Sequence, residues 1–147
     1  MANETHYTKL ENMYLSGAIN QSLYEQVAIT VSHKKAVITM PVKPEYFHAG
    51  HSLHGSVYFK MLDDAAYFAV NSIVQDTFVY TVSFNIQILR PVKSGLLRAE
   101  GELKFLSKNL FIADAILYDE KNREVARGSG NFMKSPLGLD ETIGYLL

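Results

Sequence analysis

The stretch 56–74 constrains this chain more than any other. Val57, Met61, Ala65, Phe68 and Ser72 follow one helical stripe, and Leu62, Ala66, Ala69 and Ile73 widen it. Apolar residues thus cover well over half of the circumference, too much for a helix lying on a surface. Such a helix must be embraced by other elements. Its polar remainder is narrow: Lys60, Asp64, Tyr67 and Asn71 at spacings of three and four. Lys60 and Asp64 can pair along what reads as a wet strip.

The remaining segments supply the embrace. Downstream, 78–89, 96–106, 110–118 and 124–133 read as strands. In the first of them Val82, Phe84, Ile86 and Ile88 alternate against Thr81, Ser83, Asn85 and Gln87. Arg90-Pro91 opens a turn, and Ser107-Lys108-Asn109 and the segment 119–122 read as hairpin turns. Upstream, 23–31 and 35–41 form a predicted hairpin about Ser32-His33-Lys34. Tyr7, Leu10, Met13 and Tyr14 predict a short amphipathic helix over 5–16, stopped by Gly17. Gly128-Ser129-Gly130 reads as a bulge or a close backbone approach. The tail 135–147 is weakly patterned and is expected to dock loosely or fray.

The element order predicts an α+β fold, a mostly antiparallel sheet around one long central helix. At 147 residues the chain fits a single domain, 1–147, with its core at about 20–134. One sheet around one helix leaves strand edges open, so a second copy is the expected cover.

Composition narrows the function classes. A net charge of −1 without basic blocks argues against nucleic acid and anionic membrane partners. With no cysteine, disulfides, thiolate metal sites and cysteine nucleophiles are excluded. The N-terminus lacks the basic start and apolar core of a signal peptide, and no apolar run reaches membrane length. The expectation is a soluble, cytoplasmic protein.

Candidate chemistry collects at the entrance of the long helix, in His48-Ala-Gly-His51-Ser-Leu-His54-Gly55-Ser56. Helix N-termini leave amide N–H groups free and carry partial positive charge, so Gly55 could hold a developing oxyanion. The plainer alternative is a tight turn at Gly55 and a cap at Ser56. Asp63 and Asp64 are separated by about a hundred degrees around the helix and cannot share one job. Asp64 falls on the polar strip. Asp63 lies at an apolar border on the side of Ser56, where burial would raise its pKa toward general-base range. Two solvated aspartates are the alternative. The three histidines match no familiar metal-ligand spacing, and no metal is expected.

These residues resemble the hotdog-fold acyl-CoA thioesterases, in the PaaI-like (phenylacetic acid degradation) branch. That branch carries an asparagine, a glycine and then His-Gly-Gly opening the central helix, with an acidic residue nine positions after the histidine. Here His54-Gly55-Ser56 stands at His-Gly-Gly, and the acidic position is Asp63. A Ser/Thr ten residues before a proline corresponds to Thr81, ahead of Pro91. The sequence departs from the pattern at His48 for the asparagine, His51 for the glycine and Ser56 for the second motif glycine.

The resemblance, covering roughly 20–134, implies an acyl-CoA thioesterase, with CoA part of the substrate and no separate cofactor. Gly55, helped by His54 or His48, would polarise the carbonyl. Asp63 from the facing subunit would activate water or attack directly, beside Thr81. Ser56 would border the acyl group, and Arg90, Lys108 or Arg127 would meet CoA phosphates. The implied assembly is a homodimer with sites at its interface, or a dimer of dimers. A non-catalytic acyl-CoA-binding or scaffold protein is the alternative reading, and a hotdog dehydratase a third.

Overall fold

The computed structural model describes residues 2–147; Met1 lies outside them. The long helix, α3, spans Gly55–Asn71 and buries Tyr58, Met61, Leu62, Phe68 and Val70 on most of its faces. It lies on a six-stranded sheet built from β1 (Ala28–Ser32), β2 (Lys35–Pro41), β3 (Thr77–Ile88), β4 (Leu96–Leu106), β5 (Phe111–Tyr118) and β6 (Glu124–Gly138). The spatial order is β1-β2-β4-β5-β6-β3, with every neighbouring pair antiparallel. Small residues set how closely helix and sheet approach. Ala65 and Ala66 of α3 face Gly101 of β4, where a Cβ would collide with the Ala65 carbonyl.

The hairpin turns fall where turn chemistry places them. Ser32 pairs with Lys35, and Lys34 adopts φ 62° in the two-residue turn between them. Asn122 takes φ 62° in the β5–β6 turn, where Asp119 accepts the Lys121 and Arg123 amides. Gly128 and Gly130 are close-approach positions under the Phe84 ring rather than a bulge, because β6 holds regular register there.

Four features differ from the sequence expectation. First, the N-terminal region forms two helices, α1 (Ala2–Ser16) and α2 (Ala18–Ser22), so the first strand begins at Ala28 rather than residue 23. Tyr24 is instead turned toward Tyr46 and Lys60, a tertiary packing that strand propensity does not register. Second, the strip of Lys60, Asp64, Tyr67 and Asn71 is covered. The Lys60 and Asp64 side chains retain 11% and 20% exposure, and Asn71 is fully buried. The covering elements are α1, through Tyr14, and the Tyr24 segment.

Third, the tail docks. β6 continues to Gly138, the Tyr145 hydroxyl lies 2.7 Å from His6 Nδ1, and Asn12 donates to the Leu146 carbonyl. His6 is itself buried, with Nε2 donating to the Asn71 carbonyl, which fixes Nδ1 as the acceptor from Tyr145. Fourth, β3 does not alternate evenly. Thr81 pairs with Phe132 and Ser83 with Asn131, so Val82 is an extra residue. This bulge puts Thr81 on the helix-facing side together with Phe84, Ile86 and Ile88, and leaves Val82 57% exposed.

Among the described residues no helix is long and apolar enough to cross a membrane.

Candidate active site

The entrance loop is held by its own histidines. His48 Nδ1 accepts the Gly50 amide at 2.9 Å, so Nε2 carries the proton and donates to Ser52 Oγ at 3.1 Å. Both ring nitrogens of His48 are thereby taken up within the loop. His51 adopts φ 63°, the left-handed region glycine favours. The turn expected of a glycine is therefore kept with a histidine in it. Among the described residues no cluster could hold a metal ion.

The helix cap is His54, not Ser56. Its Nδ1 accepts the Ser56 amide at 3.0 Å and lies 2.8 Å from Ser56 Oγ, while its carbonyl accepts the Val57 amide. Nδ1 is thus the acceptor and Nε2 the protonated nitrogen of the neutral ring. Two of the first amides of α3 are satisfied in this way. The Gly55 N–H has no acceptor among the described residues. It is a free donor at the positive end of a helix dipole, in a cleft bordered by His48, Tyr58, Ile88 and Arg90.

Two helical turns further on, Asp63 and Asp64 part company. Thr81, re-aimed by the β3 bulge, donates from Oγ1 to Asp63 Oδ1 at 2.9 Å. Burial pushes the Asp63 carboxyl up to about 6; the Thr81 bond pulls it down, Asp64 pushes it up and Lys60 pulls it down. Asp64, on the same groove, turns toward α1 instead. Its Oδ2 accepts from Lys60 Nζ at 2.6 Å and from the Tyr14 hydroxyl at 2.7 Å. A groove of about 600 Å³ runs along this part of α3, lined by Ser56, Phe59, Asp63, Asp64, Thr81 and the aromatic rings of Tyr14, Tyr24 and Phe78.

Within one chain, Gly55 and Asp63 therefore lie in different depressions. Ser56 borders the Asp63 groove, and its exposed hydroxyl is turned back to His54. Arg90 lies beside Gly55, its carbonyl accepting from the buried Tyr58. Lys108 is exposed in the β4–β5 turn. Arg127 is paired with Glu124 on the sheet face turned away from α3 and borders neither depression that holds Gly55 or Asp63. Tyr14, Tyr24 and Phe78 are the groove residues that sequence reading missed. Tyr14 registered only as one position of an amphipathic stripe, which carries no information about what covers it.

A family model described as the thioesterase superfamily matches residues 50–126. The chain belongs to the thioesterase superfamily. The matched span of this thioesterase-superfamily protein takes in the histidine loop from Gly50 onward, α3 and Thr81, and reaches into β6. Among solved structures it is similar to the Escherichia coli PaaI protein from the phenylacetic acid degradation operon: 22% identity, TM-score 0.83, 94% of this chain and 99% of that one. A thioesterase from Haemophilus influenzae matches at 20% identity and TM-score 0.76, over 88% and 90% of the two chains. A conserved protein from Pseudomonas aeruginosa matches at 18% and 0.75, over 82% and 96%. Likeness at these identities is likeness of fold, and the fold is the PaaI-like hotdog: a sheet wrapped on one helix, preceded here by α1 and α2. Among curated protein sequences, none matches.

Proposed function

We propose that this protein hydrolyses acyl-CoA thioesters to a free acid and CoA. The observation that carries the reading is the half-buried, Thr81-bound Asp63 carboxyl; the free Gly55 N–H at the capped helix N-terminus is its proposed counterpart. The thioester oxygen sits at Gly55 N–H; His54, which borders a separate depression beside Tyr24 and Tyr46, acts through its cap of α3. Asp63 takes a proton from water as that water attacks the carbonyl carbon. When the tetrahedral intermediate collapses, the C–S bond breaks and the proton on Asp63 passes to the departing thiolate. Thr81 holds Oδ1 and leaves Oδ2 for water. His48 acts through the loop, keeping the entrance in shape. No cofactor is invoked, and the proposed setting is the cytoplasm.

Because Gly55 and Asp63 lie apart in one chain, the proposal includes a homodimer. β3 is a 12-residue strand at one end of the sheet, with Tyr80, Val82 and Ile88 exposed. Thr81 neighbours Asp63, and Ile88 neighbours Gly55. Antiparallel pairing of two β3 edges centred on Asn85 keeps same-face residues opposite one another, and the bulge at Val82 then brings Thr81 opposite the partner's Ile88. One chain's base then serves the other's oxyanion donor. Arg90 and Lys108 are the proposed phosphate contacts, and a dimer of dimers is a further step in the same proposal.

The test is thiol release from short, medium, long and aryl acyl-CoAs by wild type, Asp63→Asn and Asp64→Asn. Hydrolysis abolished by Asp63→Asn and largely kept in Asp64→Asn is the expected outcome; equal loss in both removes the assignment. A second reading, an acyl-CoA-binding protein without turnover, draws on the engagement of both His48 nitrogens inside the loop. Tight binding with no thiol released across the panel would decide for it.

A further inference from the structure

Two adjacent carboxylates border the same groove, yet hydrolysis as proposed above uses one. We propose that Lys60 and Tyr14 are positioning residues: they tie the Asp64 carboxylate to the N-terminal helix, so that Asp63 alone is offered to substrate. The proposal rests on Asp63 being the base.

The tie is closed on itself. Lys60 Nζ donates to Asp64 Oδ2 at 2.6 Å and lies 3.2 Å from the Tyr14 hydroxyl, which donates to the same Oδ2 at 2.7 Å. The ammonium also lies over the Tyr14 and Tyr24 rings, at 5.0 and 4.9 Å from their centroids. Lys60 is thus clasped from α1 and from the segment after α2 while it holds α3. One carboxylate oxygen takes two strong donors, and both are largely removed from water.

Around Asp63 the remaining titratable groups are phenols: Tyr14 from α1, Tyr24 beyond α2, Tyr67 on α3 and Tyr80 on β3. Burial pushes Tyr14, Tyr24 and Tyr67 upward, so they stay uncharged. Among the described residues, Lys60 and Asp64 are the other charged side chains lining the groove. They act on Asp63 with opposite sign. A role confined to packing would not produce opposite electrostatic responses when each is removed.

The experiment compares full-length wild type with Lys60→Met, Lys60→Arg, Asp64→Asn, Tyr14→Phe and the Lys60→Met/Asp64→Asn double variant. Two readouts run side by side. One is the pH profile of thiol release; the other is the 13C carboxyl titration of Asp63, assigned by the resonance that Asp63→Asn removes. Lys60→Met is expected to move the Asp63 midpoint and the acid limb upward by about half a pH unit or more, and Asp64→Asn to move both downward. The double variant returns toward wild type, Lys60→Arg restores it, and Tyr14→Phe moves it upward by less than Lys60→Met. Turnover with unmoved midpoints, or with both single variants moving the same way, overturns the tether. No turnover with midpoints displaced as expected overturns the hydrolytic reading and leaves the tether supported.

Discussion

Asp63 stores the conflict that makes it useful. A carboxyl raised from 3.8 to about 6 is partly protonated in slightly acidic solution and fully a base only above that. Hydrolysis is therefore expected to rise with pH through about 6, which a kcat/KM profile on any turned-over acyl-CoA will read. The stability consequence has the opposite sense. Between the unfolded and folded values the native state binds more protons, so stability falls as pH rises from about 4 to 6 and then stays level. Raised from 3.8 to about 6, ionised Asp63 should cost the fold roughly 2–3 kcal/mol near neutral pH. Asp63→Asn is thus expected to abolish turnover while raising Tm near neutral pH, an advantage that disappears near pH 4. An unchanged Tm at neutral pH would remove burial as the cause. Gly55 allows an equally local test. It is the first residue of α3, where proline is well tolerated, and His54 at φ −66°, ψ 144° suits a residue before proline. Gly55→Pro deletes the free N–H and little else. Its expected effect is a loss of about 10²–10³ in kcat with helicity unchanged.

At the scale of elements, the site depends on how α3 is seated. Gly101 lets the Ala65–Ala66 backbone rest directly on β4. Gly101→Ala would force the helix to lift, an overpacking expected to destabilise by about 1–3 kcal/mol or more in a denaturant titration. The same lift would carry Asp63 away from Thr81, so activity should fall further than stability alone explains. Here the sequence was legible in part. Apolar coverage of 56–74 demanded a buried helix, and one formed. The nine-residue step from His54 selected Asp63, and its apolar border matched the burial found. The bulge at Val82 left no such trace. Even alternation put Thr81 on the polar side, and only the pairing with β6 turns it toward Asp63. Likewise Lys60 and Asp64 were visible as a pair but read as wet, because the helix that covers them lies more than forty residues earlier in the chain.

For the whole molecule, the separation of Gly55 from Asp63 makes the prediction. Mixing Asp63→Asn and Gly55→Pro chains under exchange should regain about a quarter of wild-type activity, since half of the random dimers carry one intact site in two. Two inactive variants that stay inactive together would place both groups in one chain's site and remove the composite arrangement.

Residue order alone determined what had to be buried, where turns could form and which carboxylate sits at an apolar border, because these follow from local periodicity and side-chain chemistry. Tertiary structure decided the rest: that α1 closes over the polar strip, that a one-residue bulge aims Thr81 and that His54 rather than Ser56 caps α3. Each of these depends on contacts or backbone turns whose direction no local pattern encodes.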